Sequence, residues 1–169
     1  SDIHQADIGT LMFEHVGTLA LSLDDASTCV LSKKFVVIIS KPDTNVYALR
    51  VKGKDTSITK VSNMPTARRW HTLVQVDDSK VYSVGGLSKA TGQCLDSIDC
   101  WDMKANSWAT LNVRLPVGMH SMACVVIPEG LIMMGGRSGT QEYKQVLRVT
   151  DKKCETVSSL PLGCSVVHA

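Results

Sequence analysis

The sequence predicts an all-β protein made of repeated four-stranded antiparallel sheets. Four short apolar runs, at 71–76, 81–84, 97–101 and 108–113, have the length and the β-branched or aromatic content of strands. Turn residues separate consecutive runs, so the four strands form one antiparallel meander. No segment keeps the apolar period of about 3.6 residues that marks a helix, and no helix longer than one turn is expected.

This unit of four strands recurs along the chain, which is typical of a repeat architecture. Three markers return at nearly one period: a proline preceded by methionine or leucine at 65, 116 and 161, a glycine pair at 85–86 and 135–136, and a histidine at 71 and 120. The offsets are 51 and 45 for the proline, 50 for the glycine pair and 49 for the histidine. A four-stranded unit cannot bury both faces alone, so neighbouring units are expected to stack.

One unit resembles the Kelch repeat. Residues 64–71, Met-Pro-Thr-Ala-Arg-Arg-Trp-His, are similar to the repeat's Met-Pro-x-x-Arg-x-x-His, and Gly85-Gly86 matches its strand ending in two glycines. Residues 101–108 are similar to its aromatic-Asp-Pro-Lys-Thr-Asn-x-Trp, with Met103 in place of the proline. The next unit keeps the glycine pair and the histidine, but Val149 and Cys154 stand where aromatic residues are expected. The resemblance implies a partial Kelch β-propeller of four-stranded antiparallel blades, closest to the BTB–Kelch group.

The motifs of the repeat have physical roles. A glycine pair permits close backbone approach and torsion angles that other residues avoid. Large aromatic side chains at a fixed place in each unit fill the space between neighbouring blades. Trp108 occupies the outer-strand aromatic position, and we expect it to be buried against the next blade.

Residues 1–169 are interpreted as one partial propeller. Residues 26–65 form a degenerate blade with strands at 28–31, 35–39, 45–51 and 58–61, and Ser40-Lys41-Pro42 stands where its glycine pair should be. Residues 66–116 form the clear Kelch blade, 117–161 a partial blade, and 162–169 the first strand of a further blade, at 164–168. Residues 1–25 fit the repeat poorly, with one weak strand pattern at 18–23.

About three blades cannot close a ring of ordinary size. The principal expectation is that the chain is a piece of a longer propeller. Pairing with a second copy of the chain or with a partner chain that supplies the missing propeller half is one alternative, and closure through residues 1–25 is another. Each end blade would otherwise expose apolar surface and unpaired strand edges, which favours self-association.

Composition excludes several classes of function. The net charge is +2 without any run of basic residues, so no nucleic-acid binding is expected. No apolar stretch approaches the length of about 20 residues that spans a bilayer, and the N-terminus has no secretory pattern. Ser1 in place of Met is expected of a processed or excised chain. The six cysteines have no zinc-ligand spacing and are interpreted as structural thiols, with a disulfide framework as the alternative, so a cytoplasmic location is expected.

The sequence predicts no catalytic residues, no metal site and no cofactor, so an enzyme is not expected. His71 and His120 are interpreted as equivalent residues that anchor a loop in each blade. The glycine-rich run at 135–139 is followed by no Walker lysine and no helix pattern. Copper oxidases resemble Kelch proteins in fold, but the three tyrosines show no spacing that indicates a copper site.

A protein partner is the expected ligand, because loops on one propeller face carry function while the strands hold them rigid. The resemblance places the partner-docking loops at 66–70, 87–93, 117–119 and 137–142. The predicted partner-binding residues within them are Arg68, Arg69, Trp70, Arg137, Ser138 and Gln141. Arg68 could instead make a hydrogen bond within its blade, and Trp70 could pack between blades. Arg69 and Arg137 are expected to bind an acidic segment through bidentate contacts.

The resemblance implies a protein–protein interaction module that acts as the substrate-recognition part of a ubiquitin-ligase adaptor of the BTB–Kelch type. A Kelch protein that binds actin or another cytoskeletal element is the alternative within the family. A propeller enzyme or a sugar-binding module is the rival class.

Overall fold

The computed structural model describes residues 2–7, 12–18, 22, 24–31, 36–40, 43–52 and 55–165 of the chain. These residues form strands and turns and contain no helix, so the all-β prediction is confirmed. The strands are β1 Asp2–Asp7, β2 Met12–Thr18, β3 Ser27–Leu31, β4 Val36–Ser40, β5 Asn45–Lys52, β6 Asp55–Asn63, β7 Arg68–Arg69, β8 Thr72–Gln75, β9 Lys80–Val84, β10 Leu87–Ser88, β11 Ser97–Asp102, β12 Ser107–Arg114, β13 His120–Ile127, β14 Gly130–Ser138, β15 Gln141–Glu142, β16 Gln145–Val149 and β17 Cys154–Ser159.

Three antiparallel meanders of four strands follow one another along the chain. The first blade has the order β3-β4-β5-β6, the second β8-β9-β11-β12 and the third β13-β14-β16-β17. The inner strands β3, β8 and β13 lie side by side, and each blade continues outward from them. Short ladders join β7 to β10 and β14 to β15 beside the inner strands, and β1 pairs with β2 as a separate hairpin. Each strand run predicted in 66–116 coincides with a strand of the second blade.

Some of the sequence predictions fall outside the described residues. Of the strand predicted at 18–23, Thr18 ends β2 and residues 19–21 and 23 are not described. Residue 35 of the predicted strand at 35–39 and residues 41–42 of the lost glycine motif are not described either. Of the strand predicted at 164–168, residues 164 and 165 lie outside any strand, and the remainder is not described.

Two apolar cores lie between the blades rather than within any one of them. The first joins the first and second blades through Leu31, Val46, Ala48, Met64, Leu73, Val81 and Trp101. The second joins the second and third blades through Val84, Ile98, Val113, Leu115, Met119, Met122, Leu131, Met133, Leu147 and Val149. Each core takes side chains from facing sheets, so a single blade would lose most of its buried apolar area if it were isolated.

The turn between β11 and β12 explains the aromatic-Asp…Asn-x-Trp motif. The Asp102 carboxylate accepts hydrogen bonds from the backbone N–H groups of Lys104 and Ala105, at 2.8 and 3.0 Å. These bonds hold the pKa of Asp102 below its usual value. Asn106 takes a left-handed backbone conformation with φ of 48°, which asparagine tolerates, and its side-chain oxygen accepts from Trp101 Nε1 at 3.2 Å.

Trp108 packs toward the preceding blade, so the expectation of burial against the next blade is wrong. Its indole Nε1–H donates to Ser62 Oγ on β6 at 2.9 Å. Its ring stacks on Trp101, with 6.0 Å between centroids and an interplanar angle of 11°. Trp101 is 4% exposed, whereas Trp108 is half-buried at the outer margin of the first core. The pair therefore fastens the second blade to the first.

The glycine pairs mark where the backbones of neighbouring blades meet. The N–H of Gly86 donates to the Met119 carbonyl at 2.9 Å, and the N–H of Gly136 donates to the Cys164 carbonyl at 2.8 Å. A Cβ atom on Gly85 would lie 2.4 Å from the Met119 oxygen, and one on Gly135 would lie 2.4 Å from the Cys164 oxygen. Both first glycines have positive φ. At Gly85 and at Gly135, both the positive φ and the close contact with a carbonyl oxygen therefore exclude a side chain.

The six cysteines are free thiols. Burial raises the pKa of Cys29 and of Cys124 to about 12, so both stay protonated and unreactive near neutral pH. Exposed apolar side chains include Val125 and Val157 on the third blade and Leu162 after it. Within the ranges that the structure describes, no helix is long and apolar enough to cross a membrane.

We expect Gly85→Ala to destabilise the fold by more than about 2 kcal/mol, because it adds a contact with the Met119 carbonyl to the cost of a left-handed alanine. Gly92→Ala is the matched control: Gly92 has φ of +68°, against +57° for Gly85, but nothing lies within 4 Å of an added Cβ. Urea unfolding should place the control variant well above Gly85→Ala in stability. Equal losses in the two variants would contradict the close-approach explanation.

Candidate functional site

Arg68 lies in the interior, so the prediction that it contacts a partner is wrong. Its side chain is 0% exposed and forms an ion pair with Asp99 on β11. Its guanidinium also donates to the Gly85 carbonyl at 3.0 Å and to Ser97 Oγ at 3.3 Å. Thr110 Oγ1 donates to the other Asp99 oxygen at 2.6 Å. Arg68 is therefore a structural residue, as the alternative of a hydrogen bond within the blade anticipates.

The third blade fills the same space with apolar side chains. Relative to the glycine pairs, the register equates Arg68 with Met119, Ser83 with Met133 and Asp99 with Leu147. All three apolar replacements are at most 2% exposed. The charged pair is thus replaced as a unit, which avoids leaving one buried charge without its partner.

Arg69 and Trp70 lie at the surface where the second blade begins. The Arg69 guanidinium carbon lies 4.1 Å from the centre of the Trp70 ring, in cation–π contact. Trp70 has a left-handed backbone conformation with φ of 56°. Its Nε1–H donates to Asp25 Oδ1 at 2.8 Å, and Arg69 Nη1 lies 3.7 Å from Asp25 Oδ2. Trp70 is half-buried and bridges the blades, while Arg69 keeps about a third of its side chain exposed.

His120 connects the two predicted arginines from beneath the surface, since only 6% of it is exposed. Its ring centroid lies 5.0 Å from that of Trp70, and its backbone pairs in register with Arg137 across β13 and β14. Burial lowers the pKa of His120 below its usual 6.5, and the positive charges of Arg137 and then Arg69 lower it further. We name the four residues Arg69, Trp70, His120 and Arg137 the arginine–aromatic patch. The patch crosses the boundary between the second and third blades.

Arg137, Ser138 and Gln141 surround the turn between β14 and β15. The Arg137 side chain donates from Nε and Nη2 to the Gly139 carbonyl, at 3.1 and 2.9 Å. Ser138 pairs in register with Gln141 at the end of the ladder, and Gln141 is exposed. Arg69 and Arg137 were predicted to lie in loops, but each belongs to a short ladder. Their positions are consequently more fixed than those of loop residues.

His120 is not the repeat equivalent of His71, so that interpretation is wrong. Arg69 pairs with Leu87 and His120 pairs with Arg137, and each partner is the first residue after a glycine pair. The offset between equivalent residues of the two blades is therefore 51, which makes His120 the equivalent of Arg69. The same offset makes Ser121 the equivalent of Trp70, and Ser121 and Trp70 both have φ of 56°. The proline markers at 65 and 116 carry this offset, so the sequence contains the signal that places His120 on the patch. Asp25 has no such marker and is identified by the structure alone.

The charged side chains of the patch are two arginines. No group of three or more histidine, cysteine, aspartate or glutamate side chains placed to hold a metal occurs among the residues that the structure describes. The pKa of His120 keeps its ring neutral at pH 7, so the positive charge of the patch comes from its two guanidinium groups.

Comparisons with known proteins agree with this architecture. Residues 69–112 match the family model of the Kelch motif. The solved structure of YjhT superposes with a TM-score of 0.72 at 18% identity, over 83% of this chain and 53% of that one. The fold is a partial Kelch β-propeller. The chain spans about half the length of the YjhT structure. None of the curated proteins matches the sequence.

We expect Arg68→Met to cost about 3–5 kcal/mol, because it leaves the buried Asp99 carboxylate without its counter-ion. The double variant Arg68→Met/Asp99→Leu reproduces the residues of the third blade at these two positions and should recover much of that loss. Urea unfolding of both variants measures the difference. A double variant no more stable than Arg68→Met would contradict the role assigned to the pair.

Proposed function

We propose that this Kelch propeller is a protein-interaction module, that it binds rather than catalyses, and that its partner surface is the arginine–aromatic patch. The observation that carries the proposal is the meeting of Arg69, Trp70, His120 and Arg137 across two blades. Arginine and tryptophan are the side chains that most often dominate the energetics of protein interfaces. Kelch repeats commonly mediate such contacts, and the ladders beside the patch hold its arginines in place.

The partner chemistry that fits the patch is an acidic segment. The Trp70 ring that Arg69 contacts lies 5.0 Å from the His120 ring. His120 also pairs in register with Arg137, so the two arginines flank one histidine. The Trp70 face already holds one guanidinium group by cation–π contact, which limits the rotamer entropy that Arg69 would lose on binding. A carboxylate presented to either arginine could accept parallel N–H bonds.

Within this role we propose that the chain is the substrate-recognition part of a cytoplasmic ubiquitin-ligase adaptor. The proposal rests on the similarity of 64–71 and 101–108 to the repeats of BTB–Kelch proteins. Such an adaptor needs a rigid surface that presents a few strong contacts to a short segment of its substrate, and the patch has this form.

We expect Arg69→Ala/Arg137→Ala to retain the stability of the parent protein and to lose about 2–5 kcal/mol of partner affinity, if both arginines make desolvated charge contacts. The partner would be captured from a cell lysate by the parent protein and identified by mass spectrometry. Titration of that partner against both proteins then gives the affinity change.

The matched control is Arg50→Ala/Arg114→Ala, which removes the same charge from exposed residues of β5 and β12. It should keep the partner and its affinity. A captured partner that binds the patch variant and the parent equally well at low salt would remove the patch from the interface. An equal loss in both variants would indicate only a general attraction between opposite net charges.

A further inference from the structure

Asp25 places a carboxylate of the chain itself on the arginine–aromatic patch. One oxygen accepts the Trp70 indole N–H at 2.8 Å, and the other lies 3.7 Å from Arg69 Nη1. These are the two kinds of contact that an acidic side chain of a partner would make there: a hydrogen bond to the indole and an ion pair with the guanidinium group. Asp25 comes from the segment that precedes the first blade, 44 residues before Arg69 in sequence.

We infer that Asp25 is an intramolecular occupant of the position that a partner carboxylate takes, and that binding of an acidic segment displaces it. This inference rests on the proposed function of the patch and specifies its ligand as an Asp or Glu carboxylate. Asp25 then lowers the apparent affinity of the patch by competing for Trp70 and by neutralising Arg69.

The geometry makes Asp25 easy to displace. Its side chain is 38% exposed, and the ion pair with Arg69 is long and lies at the surface, where such pairs contribute little. Its backbone has a left-handed φ of 54°, which aspartate and asparagine both tolerate. The same exposure leaves a path by which an incoming carboxylate can reach Trp70 Nε1.

The two arginines differ in how far Asp25 masks them. Arg69 faces the Asp25 carboxylate, whereas Arg137 donates hydrogen bonds to the Gly139 carbonyl of its own turn. A partner segment with two acidic residues could therefore bind Arg137 first and displace Asp25 from Arg69 second. The patch thus favours a segment with at least two acidic residues over a single carboxylate.

Asp25→Asn tests the inference with little change of shape. The amide oxygen can still accept the indole N–H, asparagine tolerates the left-handed backbone, and only the charge is lost. The probe is a fluorescein-labelled hexaglutamate peptide, titrated at low salt and followed by anisotropy. We expect Asp25→Asn to tighten its binding by about two- to fivefold, the range of an exposed ion pair.

Asp24→Asn is the control, because it removes the same charge from the adjacent residue, whose carboxylate contacts Ser22 and not the patch. It should change the affinity by well under twofold. In an Arg69→Ala background the effect of Asp25→Asn should largely vanish, because Asp25 then has no guanidinium group to mask. Hexaglutamine, which lacks the charge, should not bind any of these proteins.

The possible results separate the two proposals. If Arg69→Ala/Arg137→Ala loses the peptide while Asp25→Asn binds it no better than Asp24→Asn, the patch stands and the inference is overturned. If the peptide binds the parent, Asp25→Asn and the double arginine variant equally, the proposed function and the inference both fail. A gain specific to Asp25→Asn that depends on Arg69 supports the inference.

Discussion

The close approach of backbone at the glycine pairs determines how the blades fit together. At Gly85-Gly86 and again at Gly135-Gly136, one residue admits a carbonyl of the next linker where a Cβ atom would lie, and the following N–H binds that carbonyl. This contact sets the distance between adjacent sheets. The second apolar core and the position of the patch depend on that distance, since both are built from side chains of the second and third blades.

The buried space beside each glycine pair is filled by chemically different side chains in the second and third blades. The second blade buries an arginine and an aspartate, and Ser97 and Thr110 add hydrogen bonds to that pair. The third blade buries two methionines and a leucine in the equivalent places. Both are consistent with the same backbone, because the backbone is fixed by the glycine pair and not by these side chains. Arg68 and Asp99 each need an oppositely charged partner, whereas the apolar side chains of the third blade need only fill the same volume.

The sequence was sufficient for the fold because its signals there are local. Strand length, turn residues and the glycine pair identify the second blade almost to the residue. The sequence was less sufficient for predicting the residues of the arginine–aromatic patch. Arg68 has the same residue type as Arg69, and only the alternation of the β7 ladder decides that one is buried and the other exposed. Asp25 reaches Trp70 from the segment that precedes the first blade, and no spacing within one repeat encodes a contact with residues outside the repeats.

The bond from Gly136 to the Cys164 carbonyl also bears on what counts as one structural unit of this chain. The third blade ends as a sheet at Ser159, yet one of its glycine N–H groups is satisfied by a residue five positions later. A domain boundary drawn at the end of the last strand would leave that N–H without its protein acceptor. A blade grafted into another propeller should therefore carry its four strands together with the linker that follows. The exchangeable unit extends beyond the four-stranded sheet.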